Sequence, residues 1–142
     1  MEKKANNSAG RSVGAIVKRG EEFLVQYRLQ EPRGLAMPAG HVDEEELPEE
    51  AAERELLEET SLRAKNCKLL WSGFVPVGCG KSHDGHYWDV FGVEAEGEPE
   101  LREPEKHAFV KFMTIEEMRS YIEKRDYDAA WFEHILPALG II

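Results

Sequence analysis

Residues 40–62 read GHVDEEELPEEAAERELLEETSL, and this stretch holds most of the net negative charge of the 142-residue chain. Between positions 43 and 59 it carries ten acidic residues and one base, Arg54, a net of about −9 out of the formal −10. Pro48 suits a first helical position, and the two glutamates after it favour a helix N-terminus electrostatically. The stretch therefore predicts a helix over residues 48–60 that follows an acidic loop.

Three glutamates share one face of this predicted helix. Glu55, Glu58 and Glu59 stand at i, i+3 and i+4, which places them within about 100° of arc. Arg54 is expected to point away from that face, where it could pair with Glu50 or Glu58. Mg²⁺ takes carboxylate oxygens and bridges to phosphates, so these three carboxylates indicate a site for a hard divalent cation. We interpret the other glutamates as solvated surface: Glu44, Glu45, Glu49 and Glu53.

The order of defined residues through this stretch resembles the Nudix box, the signature of hydrolases that act on a nucleoside diphosphate linked to another group. The pattern is Gly40, five residues, Glu46, seven residues, Arg54-Glu55-Leu56, one residue, Glu58-Glu59, one residue, Ser61-Leu62. One position departs, because the family has glycine where this chain has Ser61. That glycine is expected to serve a left-handed turn after the helix, where serine costs roughly 1 kcal/mol.

The resemblance implies a role for each residue of the box. The metal ligands would be Glu55, Glu58, Glu59 and the backbone carbonyl of Gly40, and the cofactor would be Mg²⁺, with Mn²⁺ as a substitute. The resemblance gives Glu46 and Arg54 a structural role in holding the loop and helix together.

Hydrolysis also needs a base to activate water. Glu58 is one candidate, supported by Glu55 beside it, and Glu105 is another because some family members take a carboxylate from a later loop. Glu103 is a neighbouring alternative, and each loop glutamate could equally be plain surface. These alternatives stay open at the level of sequence.

Candidate substrate contacts lie outside the helix. Arginines before the box could meet phosphates, His41 could touch the ligand, and aromatic side chains could stack on a base, although arginines are commonly solvated and aromatics commonly core. The candidates are Arg28, Arg33, His41, Phe74 and Trp88. Two other motifs carry little weight: Gly80-Lys81-Ser82 lacks the earlier glycine of a P-loop, and the pair His83 and His86 lacks further metal ligands.

The rest of the chain predicts a mixed α/β domain. Strands are expected from residue 13, in a hairpin that turns at Gly20, and at residues 67–77, 86–95 and 107–113. Helices are expected from Ile115 to about Arg125, behind a Thr114 capping box, and after Asp128. By resemblance the fold is a Nudix-like α/β/α sandwich around a mixed β-sheet. We divide the chain into a flexible segment, residues 1–12, and a single domain, residues 13–142.

Composition limits the classes of partner. With a pI near 5.0 and no basic stripe, binding to a nucleic-acid polymer is not expected. The N-terminus lacks the apolar core of a secretory signal and no apolar run approaches membrane-spanning length, so we expect a cytoplasmic protein without membrane contacts. It would act on a nucleotide-type small molecule, as a monomer or homodimer.

Three functions are compatible with the sequence. The first is a Mg²⁺-dependent pyrophosphohydrolase that converts a nucleoside diphosphate derivative to the nucleoside monophosphate and a phosphorylated remainder, with a nucleoside triphosphate or its derivative favoured. The second is a catalytically silent Nudix-fold module that binds or senses a nucleotide. The third is an acidic interaction domain without a ligand.

Overall fold

The computed structural model describes residues 11–78 and 85–142. Within these residues eight strands form two four-stranded sheets. The first sheet has the order β5-β1-β7-β6 and contains β1 (Arg11–Ile16), β5 (Ala39–His41), β6 (Arg63–Val75) and β7 (His86–Glu96). In the second sheet β3 pairs with each of the other strands, which are β2 (Lys18–Arg19), β3 (Glu22–Arg28), β4 (Gly34–Ala36) and β8 (His107–Thr114).

The α/β class is confirmed, and the structure adds detail that the sequence analysis did not contain. The expected mixed sheet is divided in two: the first sheet is mixed, with β1 parallel to β7 and its other pairs antiparallel, while the second is wholly antiparallel. The hairpin predicted at Gly20 forms between β2 and β3, with Gly20 at φ +60°. The preceding strand, however, begins at Arg11 and belongs to the other sheet.

The helices cover both faces of the strands. They comprise α1 (Pro48–Thr60), α2 (Ile115–Glu123), a π-helical segment Ala130–Ile135 and α3 (Leu136–Leu139). The apolar face of α1, with Ala51, Ala52 and Leu56, packs on one buried cluster. Met118 of α2 and the π-helical segment pack on a second. These two cores produce the layered arrangement expected of the sandwich.

The acidic helix α1 has the predicted bounds, and its two ends have identifiable causes. Pro48 occupies the first turn, and the Leu47 N–H donates a 3.0 Å hydrogen bond to the Glu50 carboxylate. At the other end the Ser61 N–H donates to the Leu57 carbonyl, and Ser61 adopts φ +76° and ψ −2°. The left-handed turn expected at this departure from the family pattern is therefore present.

The last helix differs from the sequence expectation. Asp128 caps it as predicted, since its Oδ1 accepts the Ala130 N–H at 2.9 Å. The segment then widens into π-helical geometry before α3, where the Leu136 N–H reaches back to the Trp131 carbonyl. Pro137 has no N–H to donate, so an α-helical bond is lost at this point. No helix in the described part of the chain is long and apolar enough to cross a membrane.

Candidate active site

A polar cleft of about 350 Å³ lies beside α1, between β5 and the loop that precedes β8. All four proposed metal ligands line it: Gly40, Glu55, Glu58 and Glu59. The sequence prediction that the three glutamates share a face is therefore matched by a common cleft. Their role as ligands stays a prediction.

Gly40 lies against the carboxylate of Glu55. A Cβ atom built on Gly40 would stand 2.1 Å from Glu55 Oε2, far inside van der Waals contact. No side chain can occupy this position while Glu55 keeps its orientation. The glycine thus brings the β5 backbone directly to the carboxylate, which is the placement that a shared role in cation binding requires.

The half-buried Glu55 stands beside the buried Glu59. Glu59 is 7% exposed, and burial, together with the neighbouring Glu55, raises its pKa well above the ordinary value. Burial also raises the pKa of Glu55. The two carboxyl groups influence each other's ionisation. A cation beside them would favour the ionised form of both.

Arg54 corrects the expectation that it points away from the acidic face. It makes a bidentate pair with Glu46, with Nε and Nη2 at 2.7 and 3.1 Å from the two carboxylate oxygens, and its Nη2 also donates to the His41 carbonyl. Its Nη1 lies 3.1 Å from Glu55 and 3.3 Å from Glu58, so the predicted pair with Glu58 is confirmed. Glu50 is occupied elsewhere, at the start of α1. A five-donor guanidinium can serve both groups at once, which helix spacing alone does not reveal.

The Arg54–Glu46 pair fits the predicted structural role. The hydrogen bond to Arg54 lowers the pKa of Glu46, so this carboxylate is ionised at neutral pH. Glu46 also accepts the Asp43 N–H at 2.9 Å, which ties the acidic loop to the helix.

The carboxylates do not converge on a single point as they stand. Among the described residues no three His, Cys, Asp or Glu side chains form a ready cluster for a metal ion. Two of the three glutamates are engaged by a cation of the protein itself, because Glu55 and Glu58 both accept from Arg54 Nη1. The donor set nevertheless fits a hard cation, since carboxylate oxygens are what Mg²⁺ prefers and the Glu58 side chain is 51% exposed and can rotate.

The loop before β8 contributes Glu103 to the cleft, whereas Glu105 is exposed and does not line it. Glu103 is held by the turn itself, since its carbonyl accepts the N–H groups of Lys106 and His107. His107 also lines the cleft and is 3% exposed, and burial lowers its pKa to about 4, so it is neutral at pH 7. Of the two loop candidates for the base, only the neighbouring alternative Glu103 lines the cleft, and its role stays a prediction.

A second, mostly apolar pocket adjoins the cleft. The two share Arg28, Ala39, Gly40 and His41, so they form one continuous depression. Trp88 and Asp128 also line this pocket. Asp128 is 5% exposed, and burial raises its pKa to about 6.

The substrate-contact candidates divide between the site and the rest of the surface. Arg28 and His41 line both the cleft and the apolar pocket. Trp88 is 7% exposed and packs edge-on against Trp131, so it is a core residue that presents part of its surface to the pocket. Two candidates lie elsewhere: Arg33 donates to the Leu29 carbonyl, and the exposed ring of Phe74 contacts Tyr87. Residues 80–83, which contain both weak motifs except His86, lie outside the described residues.

Several site residues were missed by the sequence analysis. Lys106 and His107 belong to a stretch that was treated as loop and strand, and their sequence carries no signal of a cleft. Gln26 had a signal: it stands two residues after Leu24 in a strand, on the buried face, where a polar side chain needs a reason. Asp128 was identified as a cap, and its second role depends on the pocket beyond it.

Comparison with known proteins decides the family. A profile of the NUDIX domain matches residues 9–139. The chain belongs to the Nudix family. It is accordingly a hydrolase of the class that acts on pyrophosphate bonds. No curated protein matches the sequence.

Solved structures of other Nudix proteins share this fold. A MutT NUDIX hydrolase from Burkholderia pseudomallei is 23% identical with a TM-score of 0.68, over 76% of this chain and 84% of that one. A NUDIX hydrolase from Nitrosomonas europaea is 21% identical with a TM-score of 0.67, over 83% and 79%. A UDP-X diphosphatase is 21% identical with a TM-score of 0.62, and the match covers 76% of this chain and 52% of the diphosphatase chain. At these identities the likeness establishes the Nudix fold.

Proposed function

We propose that this chain is a Mg²⁺-dependent pyrophosphohydrolase that cleaves a nucleoside diphosphate linked to another group, with release of the nucleoside monophosphate and the phosphorylated remainder. The observation that carries the proposal is the position of Glu55, Glu58 and Glu59 in one cleft that continues into an apolar pocket. A diphosphate needs charge neutralisation, and the group attached to it needs apolar contact. The acidic cleft would supply the first through a bound cation, and the apolar pocket would supply the second.

The cation would be held by the three glutamates and the Gly40 carbonyl. When bound, Mg²⁺ neutralises diphosphate charge and polarises a phosphoryl oxygen. Mn²⁺ has the same preference for oxygen ligands and would serve as a substitute. The neighbouring carboxyls of Glu55 and Glu59 support this assignment, because a bound cation would favour their ionised forms against the burial that raises both pKa values.

The chain's own residues then bind the phosphates and move a proton. Arg28 and Lys106 are the cations in the cleft and would hold the phosphate oxygens not neutralised by the metal. A carboxylate must accept a proton from the attacking water as the second phosphoryl group leaves. Glu58 is the first candidate for that base, and Glu103 is the loop alternative that the geometry favours over Glu105.

The apolar pocket would hold the nucleoside. Its lining by Trp88, Val77 and Pro32 offers a surface for a flat ring, and His41 stands at its junction with the cleft. A ring seated there would place its phosphate chain toward the glutamates. A nucleoside triphosphate or a derivative of one has this arrangement, with a nucleoside at one end and the phosphates beside it.

A nucleotide-binding module without catalysis is the second candidate. The contacts of Arg54 with Glu55 and Glu58 favour it, because these bonds partly neutralise the carboxylates without a cation. In that case a nucleotide would bind tightly and remain intact with Mg²⁺ present.

A panel of substrates separates the two candidates. Nucleoside triphosphates, dinucleoside polyphosphates, nucleotide sugars and ADP-ribose are each incubated with protein and Mg²⁺, Mn²⁺ or EDTA, and products are identified by ³¹P NMR. The proposal expects a nucleoside monophosphate from at least one class, with a divalent ion present and not with EDTA. Saturable binding of a nucleotide without any product would establish the silent module instead.

The charge of the protein bears on the kind of ligand that it would bind. A net charge of −10 supports a small anionic ligand that arrives with its cation rather than a nucleic-acid polymer. We also propose that the protein is cytoplasmic and is a monomer or a homodimer.

A further inference from the structure

Gln26 is a buried polar side chain whose one described hydrogen bond goes to the proposed metal site. It lies in the middle of β3, is 1% exposed and has Leu24 and Val25 as buried neighbours. Its Nε2 donates to Glu59 Oε1 at 3.0 Å. An amide at such a position must have a reason to be there, since an apolar side chain would pack without a desolvation penalty.

The other half of the amide strengthens this point. In the described part of the chain, Gln26 Oε1 is buried and has no hydrogen-bond partner. The side chain therefore leaves one polar atom unsatisfied in order to present its N–H group to Glu59. An N–H donor here favours the ionised form of Glu59, which is the form in which a carboxylate binds a cation.

Three structural elements meet at the same carboxylate oxygen. Glu59 Oε1 also accepts the Ala39 N–H at 3.3 Å. Gln26 comes from the second sheet, Ala39 from the first and Glu59 from α1. These two donors restrain the carboxylate about its last torsion, and the hydrogen bonds described for Glu59 fall on Oε1 and not on Oε2.

We propose that Gln26 is a positioning residue, which together with the Ala39 N–H fixes Glu59 so that its second oxygen is presented to a divalent cation. The inference rests on the proposed function, because it assigns Glu59 to that cation. It adds a residue outside the box to the machinery, one that acts through Glu59 and touches neither cation nor substrate. Loss of the amide would leave the fold standing and let the carboxylate turn.

The test measures cation affinity and not turnover. Binding of Mn²⁺ alone, without nucleotide, is followed by electron paramagnetic resonance for the wild type and for Gln26→Met, which keeps the length of the side chain and removes the donor. Thr60→Val is the matched control, since Thr60 is equally buried but its hydroxyl bonds only to the Leu56 carbonyl and the Leu62 N–H. Gln26→Leu serves if the methionine variant does not fold, and far-UV circular dichroism and thermal unfolding check each protein.

We expect Gln26→Met to weaken Mn²⁺ binding about tenfold and Thr60→Val to leave the Kd within threefold of the wild type while lowering the Tm. The inference is overturned if the glutamine variant also stays within threefold, or if the threonine variant weakens binding as much. Failure of the wild type to bind Mn²⁺ would instead contradict the proposed function itself. Substrate turnover with an unchanged Kd in Gln26→Met would retain the function and remove the inference.

Discussion

Replacement of Ser61 by glycine should stabilise the protein. Ser61 ends α1 at φ +76°, a left-handed conformation that costs a residue with a Cβ atom about 1–2 kcal/mol. Its N–H bond to Leu57 is a backbone contact and survives the change. Glycine also lowers the stability by about 0.4–1 kcal/mol, because it gives the unfolded chain more conformational freedom. The net gain is about 0.5–1 kcal/mol, which corresponds to roughly 2–4 °C in Tm for a domain of this size.

Urea and thermal unfolding of three variants measure this effect. Ser61→Ala retains the Cβ atom and should bring no comparable gain. Ser120→Gly lies in the exposed interior of α2 and should lose about 0.5 kcal/mol, since glycine is a poorer helix former than serine. An equal gain from alanine, or no gain from glycine at position 61, would refute the assignment of strain to the left-handed turn.

Two further predictions concern charge. Arg54→Lys should lower the free energy of unfolding by about 1.5–3 kcal/mol in urea titrations, because an ammonium cannot reproduce the bidentate pair with Glu46 and the bond to the His41 carbonyl. An unchanged urea midpoint would contradict the role of Arg54 in holding the acidic loop to the helix. Burial raises the Asp128 pKa to about 6 from 3.8, so the folded state retains a proton that the unfolded chain loses, and wild-type stability falls as pH rises through that window. Asp128→Asn keeps a capping oxygen and removes the titrating carboxyl, so its stability relative to the wild type should rise by up to about 3 kcal/mol between pH 4 and pH 7. A stability difference between the two proteins that does not change with pH would refute the raised pKa of Asp128.

The elements of this fold were predictable where local chemistry decides them. The bounds of α1 follow from Pro48, from the acidic first turn and from the break at Ser61. The start of α2 follows from Thr114, whose hydroxyl accepts the Glu117 N–H as the capping box requires. Strand positions followed approximately from β-rich runs between glycine-rich loops, but the strand expected at residues 67–77 is β6, which begins four residues earlier at Arg63 and ends at Val75. The division into two sheets was not predictable, since it depends on which strands pair across long distances in the chain.

Much of the candidate site was predictable for the same reason. Helix periodicity alone puts Glu55, Glu58 and Glu59 on one face, whatever the rest of the chain does. The contacts of Arg54 with that face and the choice of Glu103 over Glu105 depend on side-chain rotation and on the path of a loop. The Arg54–Glu58 pair follows from i,i+4 spacing and was predicted, but the Arg54–Glu55 contact and the loop path have no periodic signature in the sequence.

The most direct test of the central claim compares Glu58→Gln with Glu53→Gln on the best substrate of the panel. Both changes remove one carboxylate from α1, and Glu53 is exposed and does not line the cleft. With Mg²⁺ saturating and both variants folded, kcat should fall at least about 100-fold for Glu58→Gln and stay near the wild-type value for Glu53→Gln. Full activity in Glu58→Gln, or an equal loss in both variants, would contradict the account.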